Sequence, residues 1–116
     1  MIAPKFKRSA GVLLPISSLP SPYGIGCFSR DAENFAEMAA DMGFSWWQVL
    51  PITILGAGNS PYSGYSTHAG NFLYINPALL RDEGLITPEE TEASKYKGQP
   101  YKVDYAFARE NITRLL

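Results

Sequence analysis

Arg8-Ser9-Ala10-Gly11-Val12-Leu13-Leu14, closed by Pro15, and Phe44-Ser45-Trp46-Trp47-Gln48-Val49-Leu50, closed by Pro51, are the two stretches that decide the fold. The first reads as a short buried strand and the second, dense in β-branched and aromatic residues, as another. Each ends at a proline, which has no amide hydrogen to give to a ladder. Between them Ala32, Phe35, Ala36, Ala39 and Met42 recur at helical spacing. Ser29 stands at the N-cap position, Asp31 and Glu33 fall in the first turn where negative charge favours the helix dipole, and Gly43 is a good stop. The spacing predicts a helix over 30–42. Strand, helix and strand with short joints form a βαβ unit over 8–50, so the strands are expected to run parallel with a right-handed crossover. The fold class is α/β.

Outward from this unit lie two long connections, 15–28 and 51–71, rich in Pro, Gly, Ser and Tyr. Both leave the C-terminal end of a predicted parallel strand, the edge at which α/β sheets and barrels bind ligands, so they are expected to share one face. Phe72-Leu73-Tyr74-Ile75-Asn76 reads as a short extended piece that ends the second connection, and 77–83 as a short helix stopped by Gly84. Thr87-Pro88-Glu89-Glu90 has the form of a capping box with proline at the first helical position. Lys97-Gly98-Gln99-Pro100 is a loop, and Asp104 caps a last helix with Ala108, Ile112, Leu115 and Leu116 on one face. That face is expected to find no partner within 1–116. Structureless connections this long are uncommon in compact domains. The chain is therefore read as a truncated piece of a larger fold, with 77–116 opening a helical insertion. Two strands alone leave exposed edges, so the isolated chain is expected to self-associate.

Composition narrows the classes. Hydrophobic residues make up 46% of 116 and charged residues 18%, which suits a folded globular chain. A net charge of -1 without a dense Lys/Arg run argues against nucleic acid or an anionic membrane as partner. No apolar run approaches the roughly 20 residues of a membrane helix. The basic start Met1-Ile2-Ala3-Pro4-Lys5-Phe6-Lys7-Arg8 precedes only four apolar residues, too few for a signal-peptide core. The single cysteine, Cys27, cannot close an internal disulfide, so a cytoplasmic location is expected.

The second connection carries the candidate chemistry. Asn59-Ser60-Pro61-Tyr62-Ser63-Gly64-Tyr65-Ser66-Thr67-His68-Ala69-Gly70-Asn71 offers rings, hydroxyls and amides without a cluster of charge. Sugar rings present apolar C–H faces and a rim of hydroxyls, which call for aromatic platforms and short groups able both to donate and to accept. Tyr62 is the first platform candidate and Tyr65 a weaker one; the alternative for both is packing that plugs the loop. Other chemistries are poorly served. Tyr23-Gly24-Ile25-Gly26 is half of a dinucleotide fingerprint and lacks the third glycine, and no phosphate-binding Gly-Lys-Ser/Thr loop occurs. His68 has no partner at metal spacing and no nucleophile or orienting carboxylate nearby. Cys27 follows a Gly-rich turn near a helix start, which can lower a thiol pKa, yet it reads better as a passive small residue. The acidic residues sit at helix starts and on solvated faces, without the opposed pair that glycoside chemistry needs. No cofactor, metal or catalytic residue is expected here.

Taken together, Arg8 to Leu14, Ser18-Leu19-Pro20-Ser21-Pro22-Tyr23-Gly24-Ile25-Gly26, Trp46-Trp47-Gln48-Val49-Leu50-Pro51, Gly58-Asn59-Ser60-Pro61-Tyr62, Ser66-Thr67 and Ala69-Gly70-Asn71 resemble, in order and spacing, the opening blocks of the 4-alpha-glucanotransferases (amylomaltases or disproportionating enzymes). Val103-Asp104-Tyr105 resembles the element that opens the family's following helix. The resemblance implies the first βαβ part of an elaborated (β/α)8 TIM barrel. It implies transfer of α-1,4-glucan segments through a covalent glucosyl-Asp intermediate, with a Glu as acid/base and a second Asp steadying the transition state. These three carboxylates lie beyond residue 116. Ser60 and Tyr62 match family residues lining the donor-sugar site, and Asn71 closes that motif. Pro15-Ile16-Ser17 departs from the family's frequent His-Pro-Thr. Alternatives outside this class are a non-catalytic carbohydrate-binding module and a phosphate-binding α/β domain.

Overall fold

The computed structural model describes residues 7–116, so most of the basic stretch read above, 1–6, lies outside the described residues. Strand β1, Gly11–Leu13, pairs in parallel with β2, Trp46–Gln48, placing Val12 opposite Trp47. The ladder is extended at both ends by Leu14 N–H to the Gln48 carbonyl at 3.0 Å and Ser45 N–H to the Ala10 carbonyl at 2.9 Å. Helix α1, Arg30–Asp41, connects them. The Ser29 hydroxyl accepts the Asp31 amide at 3.2 Å, and Gly43, at φ 89, takes the left-handed conformation that ends the helix. The βαβ reading holds, with shorter strands than expected.

Burial of the sheet differs from expectation. Phe35 on α1 meets Trp47 edge-on with ring centroids 4.8 Å apart, and Trp47 Nε1–H donates to the Leu14 carbonyl at 2.9 Å. Alternation along a strand puts Val12 and Trp47 on this covered face and leaves Leu13 and Trp46 on the other. Leu13 is 53% exposed, so β1 is not the buried strand its apolar run implied. Parallel sheets are normally covered on both faces; among the described residues nothing pairs with either outer edge, and Leu13 and Trp46 on the second face are exposed. The 116-residue chain by itself is expected to show a weight-average sedimentation coefficient that rises with concentration. A single monomer species unaffected by concentration would remove this reading.

The main core lies beyond the sheet. Ile16, Leu19 and Ile25 from the first connection pack with Leu55 from the second, Leu73 and Tyr74, and Ala108 from a distant helix. The connections owe their shape to short 3-10 turns, Ile16–Ser18 and Phe72–Tyr74. The second replaces the extended piece expected over 72–76. Its cause is local: the Asn71 side chain accepts the Leu73 amide at 3.0 Å and turns the chain before it can extend. Five residues on, Asn76 caps α2, Pro77–Asp82, through the Ala78 amide at 2.9 Å. In the first connection, Gly26 N–H donates to the Ser17 carbonyl at 3.1 Å. A Cβ at Gly26 would sit 1.9 Å from the Ile16 carbonyl oxygen, so only glycine permits this approach.

Helix α3, Pro88–Ala93, begins with the expected capping box, both hydrogen bonds between Thr87 and Glu90 being present. Helix α4, Tyr105–Leu115, is capped by Asp104 through the Phe107 amide at 2.9 Å. Contrary to expectation, its inner face has a partner: Ala108 and Ile112 are buried, and Asn111 Nδ2 donates to the Ser94 carbonyl at 2.9 Å. Only the end of the apolar stripe is left out, with Leu116 exposed. The α3–α4 connection also grips the first connection, through Tyr96 N–H to the Pro22 carbonyl at 2.6 Å and Asp104 N–H to the Gly24 carbonyl at 2.8 Å. These bonds tie the α3–α4 connection to the first connection at the C-terminal edge of the sheet.

Candidate functional site: an aromatic loop tip at the C-terminal edge of the sheet

Residues 52–71 form a two-armed loop. Thr53 and Gly70 bridge antiparallel, Ile54 N–H donates to the Ala69 carbonyl at 3.2 Å, and Asn71 N–H to the Ile52 carbonyl at 2.8 Å. The returning arm is tied again by Tyr65 N–H to the Ile54 carbonyl at 3.3 Å. Further out the arms touch: a Cβ at Gly56 would lie 1.9 Å from the Ser63 carbonyl oxygen. The tip is the 3-10 turn Ala57–Asn59, in which Gly58 (φ 78) and Asn59 (φ 57) are both left-handed.

This turn delivers Ser60 and Tyr62. The Ser60 hydroxyl accepts the Tyr62 amide at 3.3 Å, and its carbonyl accepts the Ser63 amide at 3.2 Å, so the two side chains are held in one short turn. Ser60 is half-buried. Tyr62 is 74% exposed and Tyr65 78%, so neither ring plugs the loop; both stand open to solvent. Residues 57–67 carry no charged side chain, leaving stacking and neutral hydrogen bonding as the available chemistry.

Asn71 occupies a different place. It is buried at the root of the returning arm, where it caps the turn at Phe72–Tyr74. Its Nδ2 is buried with no hydrogen-bond partner among the described residues, a state that ordinarily costs about 1–3 kcal/mol. Burial raises the pKa of the nearby Tyr74 hydroxyl. Ile52 and Asn71 also border an open apolar cavity of about 480 Å³ with Phe28, Tyr74 and Leu79. Its walls come from segments with no common periodicity, so no sequence pattern announced it.

Of the remaining candidates, Cys27 and the Gly24–Gly26 turn are packed into the fold. Cys27 is buried, and burial pushes its thiol pKa up, the opposite of activation. Gly24, at φ 82, and Gly26 shape the turn that packs on Ile16 and Leu19. His68 is exposed, and its backbone N–H donates to the Ser66 hydroxyl at 3.2 Å. Among the described residues no group of three or more His, Cys, Asp or Glu side chains could hold a metal ion, and no helix is long and apolar enough to cross a membrane.

Comparison with known proteins gives this geometry a setting. The chain is 45% identical over 109 residues to the 4-alpha-glucanotransferase of Aquifex aeolicus, covering 92% of this chain and 22% of that protein. It is 38% identical over 100 residues to the 4-alpha-glucanotransferase of Streptococcus pneumoniae, covering 86% of this chain and 20% of that one. Its structure superposes on an amylomaltase from Streptococcus agalactiae in complex with acarbose with a TM-score of 0.80 and 35% identity, covering 93% of this chain and 24% of the other. The chain thus spans about a fifth of the length of the curated relatives it matches. With the Glyco_hydro_77 model, described as 4-alpha-glucanotransferase, matching residues 14–116, the chain belongs to that family.

Proposed function

We propose that this chain is the N-terminal segment of a 4-alpha-glucanotransferase barrel and that its part in the reaction is to contact the donor glucan through Ser60 and Tyr62. The reaction is transfer of α-1,4-glucan segments between maltooligosaccharides or starch-derived glucans. The observation that carries the reading is the presentation of an open Tyr62 ring and the adjacent Ser60 hydroxyl on one neutral turn, above the C-terminal edge of a parallel sheet. A ring with no packing duty is free to stack on a sugar face, and a half-buried hydroxyl beside it can take a sugar hydroxyl. Tyr65 is a secondary contact. Asn71 acts chiefly by fixing the root of the arm from which these side chains project. The nucleophilic Asp, the acid/base Glu and the second Asp implied by the family resemblance belong to chain outside these residues, so 1–116 alone is expected to be inactive. The single buried cysteine fits a cytoplasmic enzyme, and no cofactor is required by the proposed chemistry.

A full-length glucanotransferase carrying this segment, incubated with a short maltooligosaccharide, is expected to produce a ladder of longer and shorter products. A mixture in which glucose accumulates without longer chains would reduce the reading to hydrolysis. No turnover with retained glucan binding would favour the non-catalytic binding module.

A further inference from the structure

We infer that Arg109 on α4 is a positioning residue for the loop tip, holding Asn59 and, through it, the turn that aims Ser60 and Tyr62. The inference rests on the glucan-contacting role proposed for that tip. Because the Tyr62 ring is open to solvent, its direction is set by the backbone of 57–62 rather than by packing. That backbone holds two consecutive left-handed residues, the second a non-glycine, Asn59. Such a conformation is sparsely populated in isolation and persists where its surroundings impose it. Within the loop, Asn59 N–H donates to the Gly56 carbonyl at 3.3 Å. From outside the loop, Arg109 Nη2 donates to Asn59 Oδ1 at 3.4 Å across fifty positions of chain.

The base from which Arg109 reaches is rigid. It follows Ala108, which is buried in the main core, and α4 is pinned again two residues on by the Asn111 bond to Ser94. Among the described residues Arg109 makes no ion pair, so its guanidinium has no competing carboxylate. A single long, solvated hydrogen bond adds little to global stability. Its consequence is geometric: a small displacement of a contacting group can weaken a site strongly even when the fold is intact. The helix that opens at Asp104 would thereby set the register of a turn near residue 60.

The test uses a full-length glucanotransferase carrying this segment. Arg109→Ala and Asn59→Gly are each expected to raise KM for a maltooligosaccharide donor about fivefold with kcat changed less than about twofold, the double variant being no worse than either single one. Asn59→Gly keeps the left-handed backbone accessible while removing the acceptor. Arg109→Lys, still a donor, should recover most of the loss, and the melting temperature should stay within error of the parent in all four. Additive effects in the double variant, an unchanged KM in Arg109→Ala, or a joint fall of kcat and melting temperature would overturn the inference. Tyr62→Ala, assayed alongside, separates the two proposals. If it leaves transfer intact, the glucan-contact reading fails; if it impairs transfer while Arg109→Ala does not, only the positioning role fails.

Discussion

Tyr62→Ala in a full-length glucanotransferase carrying this segment should lower kcat/KM for glucan transfer about thirtyfold, the equivalent of about 2 kcal/mol for truncating an aromatic anchor of a binding site. The melting temperature should hardly move, because the ring is exposed and its removal opens no cavity. Tyr62→Phe probes the other half of the contact. Stacking needs only the ring, so a Phe variant should keep most activity if the hydroxyl is incidental and lose several-fold if it bonds a sugar hydroxyl. The decisive comparison is with stability, followed by thermal unfolding beside the transfer assay. Parallel losses of activity and melting temperature would mean that Tyr62 packs against other parts of the enzyme, and the proposed contact would be withdrawn.

The βαβ unit was legible in the sequence because each of its signals is local. Ser29, Asp31 and Glu33 mark a helix start, Gly43 marks its end, and the flanking apolar runs have strand length. The capping box at Thr87 and Glu90 and the cap at Asp104 were legible for the same reason. The neutral aromatic tip could be picked out by residue type, since sugar contacts demand rings and hydroxyls without charge. The main core was not legible. Ile16, Leu19, Ile25 and Leu55 follow neither a period of 2 nor one of 3.6, so they read as loop residues, although packing makes them among the most buried side chains. The turn at Phe72–Tyr74 was missed because its aromatic and aliphatic residues favour strands, whereas the Asn71 cap decides otherwise. The tether from Arg109 to Asn59 joins positions fifty apart, and nothing in either local sequence points to the other.

That displaced core makes the second large prediction. Leu13 lies in a strand and Leu73 in a 3-10 turn, and secondary structure alone would rank Leu13 as the more critical. Burial reverses the order, with Leu73 1% exposed and Leu13 53%. Leu73→Ala should destabilise the 116-residue chain by about 3 kcal/mol, within the usual range for emptying a buried leucine site. Leu13→Ala should cost less than about 1 kcal/mol in the same chain, because most of the side chain is already in water. A chain this small has about 5 kcal/mol in total, so Leu73→Ala should shift the urea midpoint far to the left, while Leu13→Ala leaves it close to the parent's. In a full-length glucanotransferase carrying this segment, Leu13→Ala should become as costly as Leu73→Ala if the bare sheet face is covered by further barrel strands. Urea unfolding of both variants in both backgrounds checks this. A Leu13→Ala cost that stays small in the full-length protein would show that this face remains in contact with solvent there too, and the barrel assignment of β1 and β2 would need revision.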